Sequence, residues 1–150
     1  MQKARTECEY ASLELATWKA LPASLGTEGA RWKLLNVSPE AGSWTAAFFY
    51  PKGASVPAHV HVGPGEYFMV TGKLTVRGGD EQGGVTATAP CYGYEADGAV
   101  HDQTLFLEDT EVYMRFQGPL QFIGPDGQPV FLAGWEQMQA LWQASPSLPR

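Results

Sequence analysis

The sequence predicts a single all-β domain, a sandwich or barrel of short strands, with a short helix near the C-terminus. Aromatic and β-branched residues occur in eight or more short runs, and Gly, Pro or Asp closes each run. The 150 residues include 17 Gly and 11 Pro, spread along the whole chain. No interval between the runs has room for the crossover helix of a βαβ unit, so the spacing favours a sandwich or barrel.

The predicted strands follow one another through the middle of the chain. Turn sequences such as Thr71-Gly72-Lys73 and Gly124-Pro125-Asp126-Gly127 separate them, because Gly supplies the backbone freedom that tight turns need. The strand segments are 32–37, 44–50, 67–70, 74–76, 85–88, 104–107, 112–116 and 120–123.

A helix is predicted only after the last strand. Trp135, Met138 and Trp142 fall near one face of a helix that begins after Gly134 and ends before Pro146. We therefore predict one domain over residues 1–150, with a barrel core at about 30–133 and a C-terminal helix at about 134–144.

Composition excludes several classes of partner and location. The ten basic and 16 acidic residues leave a net charge of −6, and without a basic run the chain is a poor nucleic-acid binder. No apolar stretch approaches the roughly 20 residues of a membrane helix. The first twenty residues carry three Glu and no unbroken apolar segment, unlike a signal peptide. Two Cys, Cys8 and Cys91, fit a reducing cytoplasm better than a disulfide framework.

Three histidines, all that the chain contains, form the candidate metal site. His59 and His61 flank Val60 in a stretch that reads as a strand, and strand alternation sends both imidazoles to one face. His101 enters another strand forty residues later, so all three can converge inside one barrel. Two nitrogens on one side suit a metal. The alternative for the pair is a solvent-facing polar row, and for His101 a structural role.

The residues around these histidines resemble the motifs of the cupin superfamily. The first cupin motif has Gly, five residues, His-x-His, three or four residues, Glu, six residues and Gly, and Gly53, His59, His61, Glu66 and Gly72 follow this order. The second motif ends in Pro-x-Gly-x-x-His, which Gly98-Ala99-Val100-His101 matches, with Ala96 in place of Pro. The resemblance implies a double-stranded β-helix, or jelly-roll, barrel.

The position of the motif's Glu is ambiguous in this chain. With six residues (66–71) between it and Gly72, the motif's Glu position falls on Gly65, which leaves Glu66 as an outward neighbour and the site with three His and no carboxylate. A four-residue gap after His61 instead makes Glu66 a fourth ligand. We favour the first count, because the strand register next to Gly72 is harder to shift than the loop of residues 62–65.

Longer segments are similar to the acetylacetone-cleaving dioxygenases, over roughly residues 30–135. They are 59–68, 90–95, 101–104 and 116–122. The resemblance implies a non-haem Fe(II) enzyme that uses O₂ to cleave a carbon–carbon bond in a β-dicarbonyl compound, giving a carboxylic acid and an α-dicarbonyl. Three neutral imidazoles leave Fe(II) its double charge and open positions for a bidentate enolate and O₂.

The same resemblance implies further site residues. Glu95 matches an acidic residue near the metal, and Arg77 a basic residue that pairs with it, while Tyr67 and Thr104 match polar residues of one network. Phe116 would form an apolar pocket wall. Val56 and Val112 stand where larger aromatic residues are expected, which implies a wider pocket and a bulkier diketone. A purely structural role is the alternative for most of these residues. Glu95 and Arg77 can lie on the surface, Tyr67 and Thr104 can be ordinary hydroxyls inside the barrel, and Phe116 can belong to the core.

Two other functions remain open from the sequence. The three His can hold Zn²⁺ in a cupin that binds or senses a small molecule without turnover, or in a zinc-water hydrolase or isomerase. Imidazole suits both Fe and Zn, so the ligands alone do not separate them. We also expect a homo-oligomer, a dimer or tetramer. Trp18, Trp135 and Trp142 are candidates for the contact, and burial within one barrel is the competing account.

Overall fold

The computed structural model describes residues 10–14 and 16–149. Cys8 and half of the twenty residues considered for a leader lie outside these residues. The described part is built of β-strands, with a 3₁₀ turn at Asp80–Gln82 and a helix α1 at Trp135–Ala144. The strands are β1 Lys19–Ala20, β2 Arg31–Ser38, β3 Ser43–Tyr50, β4 Ser55–Val56, β5 His59–His61, β6 Gly65–Thr71, β7 Lys73–Val76, β8 Val85–Thr88, β9 Cys91–Glu95, β10 Val100–His101, β11 Thr104–Phe106, β12 Thr110–Phe116, β13 Leu120–Ile123 and β14 Pro129–Ala133.

The strands form three antiparallel sheets around one core. The largest has the order β1-β2-β3-β12-β6-β9, and the two smaller sheets have the orders β10-β5-β13-β14 and β4-β11-β7-β8. Side chains of all three sheets meet in a single buried apolar cluster. The predicted all-β class with a C-terminal helix is confirmed. Strand pairing begins at Lys19, ahead of the predicted barrel core.

Alternation of buried and exposed residues explains how the sheets face the core. In β12, Thr110, Val112 and Phe116 are buried, whereas Arg115 on the opposite face is exposed. Residues two apart share a face of a strand, so apolar side chains at this period place one face of the sheet inward. The same period directs His59 and His61 into the barrel while Val60 between them is only half buried.

Helix α1 closes the barrel from outside the sheets. The Gly134 N–H that precedes the helix donates to Gln137 Oε1 at 3.2 Å, and Met138 is the fully buried residue of the helix. Trp142 packs edge-on against Trp32, with ring centroids 5.4 Å apart. The contact that partly buries Trp142 thus lies within one chain. Across the described ranges, no helix has both the length and the apolar character needed to span a membrane.

Candidate metal centre

Two paired strands bring the three histidines together. β10 runs antiparallel to β5, and His101 lies directly opposite His59. Ring centroids are 5.4 Å apart for His59 and His61, 5.0 Å for His59 and His101, and 4.9 Å for His61 and His101. One candidate ligand atom from each histidine lies within 4.8 Å of the others. The convergence predicted from the His-x-His spacing and the distant His101 is present.

Burial makes these imidazoles good metal ligands. His59 and His61 are 5% and 4% exposed, and loss of hydration lowers the pKa of each to about 4. Both rings are therefore neutral near pH 7, the form whose lone pair binds a metal. The His59 Nδ1 lies 2.8 Å from the Pro57 carbonyl oxygen. If the Nδ1–H donates there, the Nε2 lone pair is left free, a common arrangement for metal-binding His.

The donor set of this cluster fits a divalent transition metal. His61 Nδ1 is buried without a hydrogen-bond partner among the described residues, and three imidazole nitrogens with no carboxylate suit Fe or Zn. A buried nitrogen without a partner costs free energy unless another group satisfies it. The cluster is a three-histidine metal-binding site.

Glu95 is a carboxylate that contacts one of the three histidines. It ends β9, directly across from Gly65 in β6, and its Oε2 lies 2.9 Å from His101 Nε2. Burial pushes the pKa of Glu95 upward, but the hydrogen bond from His101 and the neighbouring positive charges outweigh that effect, so the pKa is lowered. Glu95 is consequently a carboxylate that holds an imidazole N–H.

Tyr67 stands beside Glu95 as a neutral phenol. Burial, with the nearby Glu95 charge, raises the pKa of Tyr67 to about 12. Its ring lies against Gly93 of β9, where an added Cβ would overlap the ring. Sequence reasoning missed Gly93, although a glycine inside a strand is a known sign of close approach.

The two remaining polar candidates lie in different environments. Thr104 is buried on the wall of the central cavity, and its Oγ1 has no hydrogen-bond partner in the described part of the chain. Arg77 is exposed, follows β7 with φ 50°, and does not line the cavity. Its charge contributes, after that of His101 and His61, to the lowered pKa of Glu95. The structure thus brings Glu95, Tyr67 and Thr104 to the cavity and leaves Arg77 at its periphery.

The central cavity measures about 80 Å³, several times the roughly 10–15 Å³ that one water requires on this measure. Phe116 and Val56 lie on its wall together with the three His. Phe116 stacks on Trp44, with ring centroids 4.2 Å apart. Val112 is fully buried but does not reach the wall, because Phe48 and Met69 flank it on neighbouring strands within the packed core.

The structure also places the two candidates for the motif's Glu position. Gly65 is buried, and a Cβ built on it would lie 3.3 Å from His61 Nδ1. Glu66 borders the cavity, but its carboxylate accepts a hydrogen bond of 2.6 Å from the Tyr92 hydroxyl on the other face of β6. Within residues 10–14 and 16–149 the metal cluster consists of histidines alone, as the count from Gly72 predicts.

Comparison with known proteins connects this site to a family. The family profile of the ChrR cupin-like domain matches residues 7–121. The chain is 43% identical over 143 residues to the acetylacetone-cleaving enzyme of Acinetobacter johnsonii, which covers 95% of this chain and 94% of that protein.

Solved structures of similar proteins share the whole fold. A crystal structure described as an acetylacetone dioxygenase from Acinetobacter johnsonii has a TM-score of 0.91 and 42% identity, over 97% of this chain and 98% of that one. A proposed acetylacetone dioxygenase from Methylibium petroleiphilum has a TM-score of 0.90 and 54% identity, over 96% of this chain and 100% of that one. With its antiparallel sheets and three converging histidines, the chain belongs to the ChrR cupin-like family of cupins, and it is similar over almost its whole length to an acetylacetone-cleaving enzyme.

Proposed function

We propose that this protein is an Fe(II)-dependent dioxygenase that cleaves a carbon–carbon bond of a β-dicarbonyl substrate. One O₂ is consumed, one oxygen atom enters each fragment, and the products are a carboxylic acid and an α-dicarbonyl. The observation that carries the proposal is the cluster of three buried imidazoles at the wall of an apolar cavity. The identity to the acetylacetone-cleaving enzyme of Acinetobacter johnsonii supports the choice of substrate class.

The three histidines are the residues that would hold the metal. Bound Fe(II) supplies Lewis acidity toward the two substrate oxygens and redox chemistry with O₂. The imidazoles carry no charge of their own, so they leave the positive charge of the metal uncompensated. That charge favours the enolate, the electron-rich form of a β-dicarbonyl.

Glu95, Tyr67 and Thr104 would orient the ligands and substrate around this charge. The Glu95 carboxylate holds His101 through a 2.9 Å hydrogen bond, which fixes the ring. Tyr67 is a neutral donor at neutral pH, as a phenol of ordinary pKa already is, and the raised pKa of its hydroxyl extends that state to higher pH. Thr104 offers a buried hydroxyl without a partner in the described chain, so a bound substrate or water can satisfy it. Arg77 would act from a distance by keeping Glu95 ionised.

Phe116 and Val56 would exclude water from the reacting centre. Both lie on the cavity wall, and apolar walls of this kind strengthen electrostatic interactions inside a site. Val112 backs the neighbouring core, and a larger residue there would press on Phe48 and Met69 before it reached the cavity.

The test is reconstitution of the metal-free protein under anaerobic conditions, with Fe(II) in one sample and Zn(II) in another. With 2,4-pentanedione we expect the iron sample to consume one O₂ per diketone and to release acetate and an α-dicarbonyl in equal amounts. The zinc sample and an iron-treated His101→Ala variant are the controls, and neither should consume O₂. A protein that keeps zinc after iron reconstitution, with no O₂ uptake on a panel of diketones, would overturn the proposal in favour of a zinc-binding cupin.

We also propose that the chain forms a homo-oligomer, a dimer or tetramer, in the cytoplasm. In the described residues β9 pairs only with β6, and Phe68, Tyr92 and Tyr94 on these two strands are more than half exposed. Exposed apolar patches beside an open strand edge are typical of subunit contacts. Light scattering that gives the 16.3 kDa mass of one chain would contradict this expectation, and cell fractionation tests the location.

A further inference from the structure

The central cavity extends away from the histidines along one row of side chains. In the sheet β10-β5-β13-β14, Leu120 pairs with His61 on one side and with Ala133 on the other. All three side chains are buried, and all three line the cavity. Strands lie about 4.8 Å apart, so the row carries the cavity wall about 10 Å from the metal ligands.

The C-terminal helix closes this part of the cavity. Met138 of α1 is 1% exposed and lies on the wall, and α1 packs against β14, which carries Ala133. We call the part of the wall formed by Leu120, Ala133 and Met138 the aliphatic arm.

The chemistry of the aliphatic arm differs from that of the histidine end. Its three members are Leu, Ala and Met, which offer no side-chain hydrogen bond of ordinary strength and no charge. The charged and hydroxyl-bearing candidates for the reaction, Glu95 and Thr104, belong to other strands. A substrate whose dicarbonyl oxygens face the histidines can therefore place only an apolar group in the arm.

We propose that the aliphatic arm binds an apolar substituent of the substrate, so that the preferred β-dicarbonyl carries an alkyl chain longer than a methyl group. This inference rests on the proposed function for the dicarbonyl end of the site. Its physical basis is burial of methylene groups, each of which strengthens binding about fourfold when it leaves water.

The test measures binding separately from turnover. Zinc undergoes no redox change, so zinc-loaded protein can be titrated in calorimetry with 2,4-pentanedione, 2,4-hexanedione, 2,4-heptanedione and 2,4-octanedione. We expect the dissociation constant to fall by about fourfold for each added methylene, and by at least tenfold from the first diketone to the last. In parallel, O₂ uptake by the iron-loaded protein with the same series should show the gain in kcat/KM.

Two variants locate the preference in the arm. Ala133→Leu fills the row and should reduce the ratio of dissociation constants between the shortest and longest diketone to less than twofold. Met138→Ala enlarges the arm and should move the best chain length upward. Val130→Leu is the matched control, because Val130 lies on the same strand with its side chain 65% exposed, and its ratio should equal that of the unmodified protein.

The outcomes separate the two proposals. O₂ uptake with 2,4-pentanedione but no dependence of binding on chain length overturns the aliphatic arm and leaves the dioxygenase intact. A clear chain-length dependence in the zinc protein without O₂ uptake in the iron protein overturns the dioxygenase and supports the arm. If Ala133→Leu does not fold, Met138→Ala decides, and an unchanged chain-length optimum in that variant contradicts the inference.

Discussion

Replacement of Glu95 by Gln tests whether this carboxylate supports the metal site or belongs to it. The variant keeps the size of the side chain but removes its charge, and with it the charge-assisted hydrogen bond between Oε2 and His101 Nε2 at 2.9 Å. A hydrogen bond to a charged group contributes about 1.5–3 kcal/mol, which corresponds to a factor of roughly 10–150. Loss of a group that orients a metal ligand typically lowers affinity or activity about 10- to 100-fold.

We therefore expect Glu95→Gln to lower kcat about 10- to 100-fold while the protein still binds one metal ion per chain. The structure favours a loss of turnover without a loss of metal, because the metal cluster in the described residues is complete without Glu95. The measurements are O₂ uptake with 2,4-pentanedione and the metal content of protein reconstituted under anaerobic conditions. A competitive chelator titration gives the metal affinity of both proteins.

Glu66→Gln is the matched control for this experiment. Glu66 lies on β6, the strand next to β9, but its carboxylate accepts a hydrogen bond from Tyr92 on the opposite face. We expect less than a twofold change in kcat and in metal affinity. Equal losses of metal and turnover in Glu95→Gln would identify Glu95 as a metal ligand and refute the reasoning. A loss of metal in Glu66→Gln would show instead that Glu66 is a fourth ligand.

Three further predictions follow from the same geometry. His101→Ala should abolish tight metal binding, and unchanged metal stoichiometry would show that the triad is wrong. Gly93→Ala should destabilise the fold by about 1–3 kcal/mol in chemical denaturation, because its methyl group overlaps the Tyr67 ring, and Tyr67→Ala should relieve much of that loss. The pKa of His59 and His61, lowered to about 4, predicts a pH effect in the metal-free protein. Below about pH 6.5 the unfolded state binds more protons at these two histidines. Their contribution to the free energy of unfolding should therefore fall, by on the order of 3 kcal/mol per residue, until about pH 4 and then level off, while the lowered pKa of Glu95 makes the total fall further at lower pH. Denaturation curves that stay constant between about pH 6.5 and 4 would contradict the lowered histidine pKa values.

The shared direction of His59 and His61 was predictable because it depends on strand periodicity alone. The arrival of His101 required a long-range contact, which the strand pattern allowed inside one barrel and which the resemblance to cupins supported. The assignment of the motif's Glu position to Gly65, counted back from Gly72, was also reliable, since residues 65–71 form one continuous strand.

Other features of the site depend on backbone direction and tertiary packing. Arg77 adopts a positive φ just after β7 and is exposed, a local change that the order of residues does not reveal. Val112 has the inward orientation expected from alternation, yet Phe48 and Met69 fill the space around it. Met138 reaches the cavity because α1 docks on β14, which depends on packing between distant parts of the chain.

The pairing of Gly65 with Glu95 explains why, among the described residues, the metal cluster contains no carboxylate. At Gly65 a Cβ would already lie 3.3 Å from His61 Nδ1, so a longer side chain at this position would enter the space of the histidines. The register of β6 and β9 places Glu95 directly opposite that glycine, where its carboxylate bonds His101. The negative charge of Glu95 thus lies beside the ligand set, where it holds the His101 imidazole in place. A divalent metal held by the three imidazoles would keep its charge for an anionic substrate, whereas a carboxylate at position 65 would neutralise half of that charge before a substrate binds.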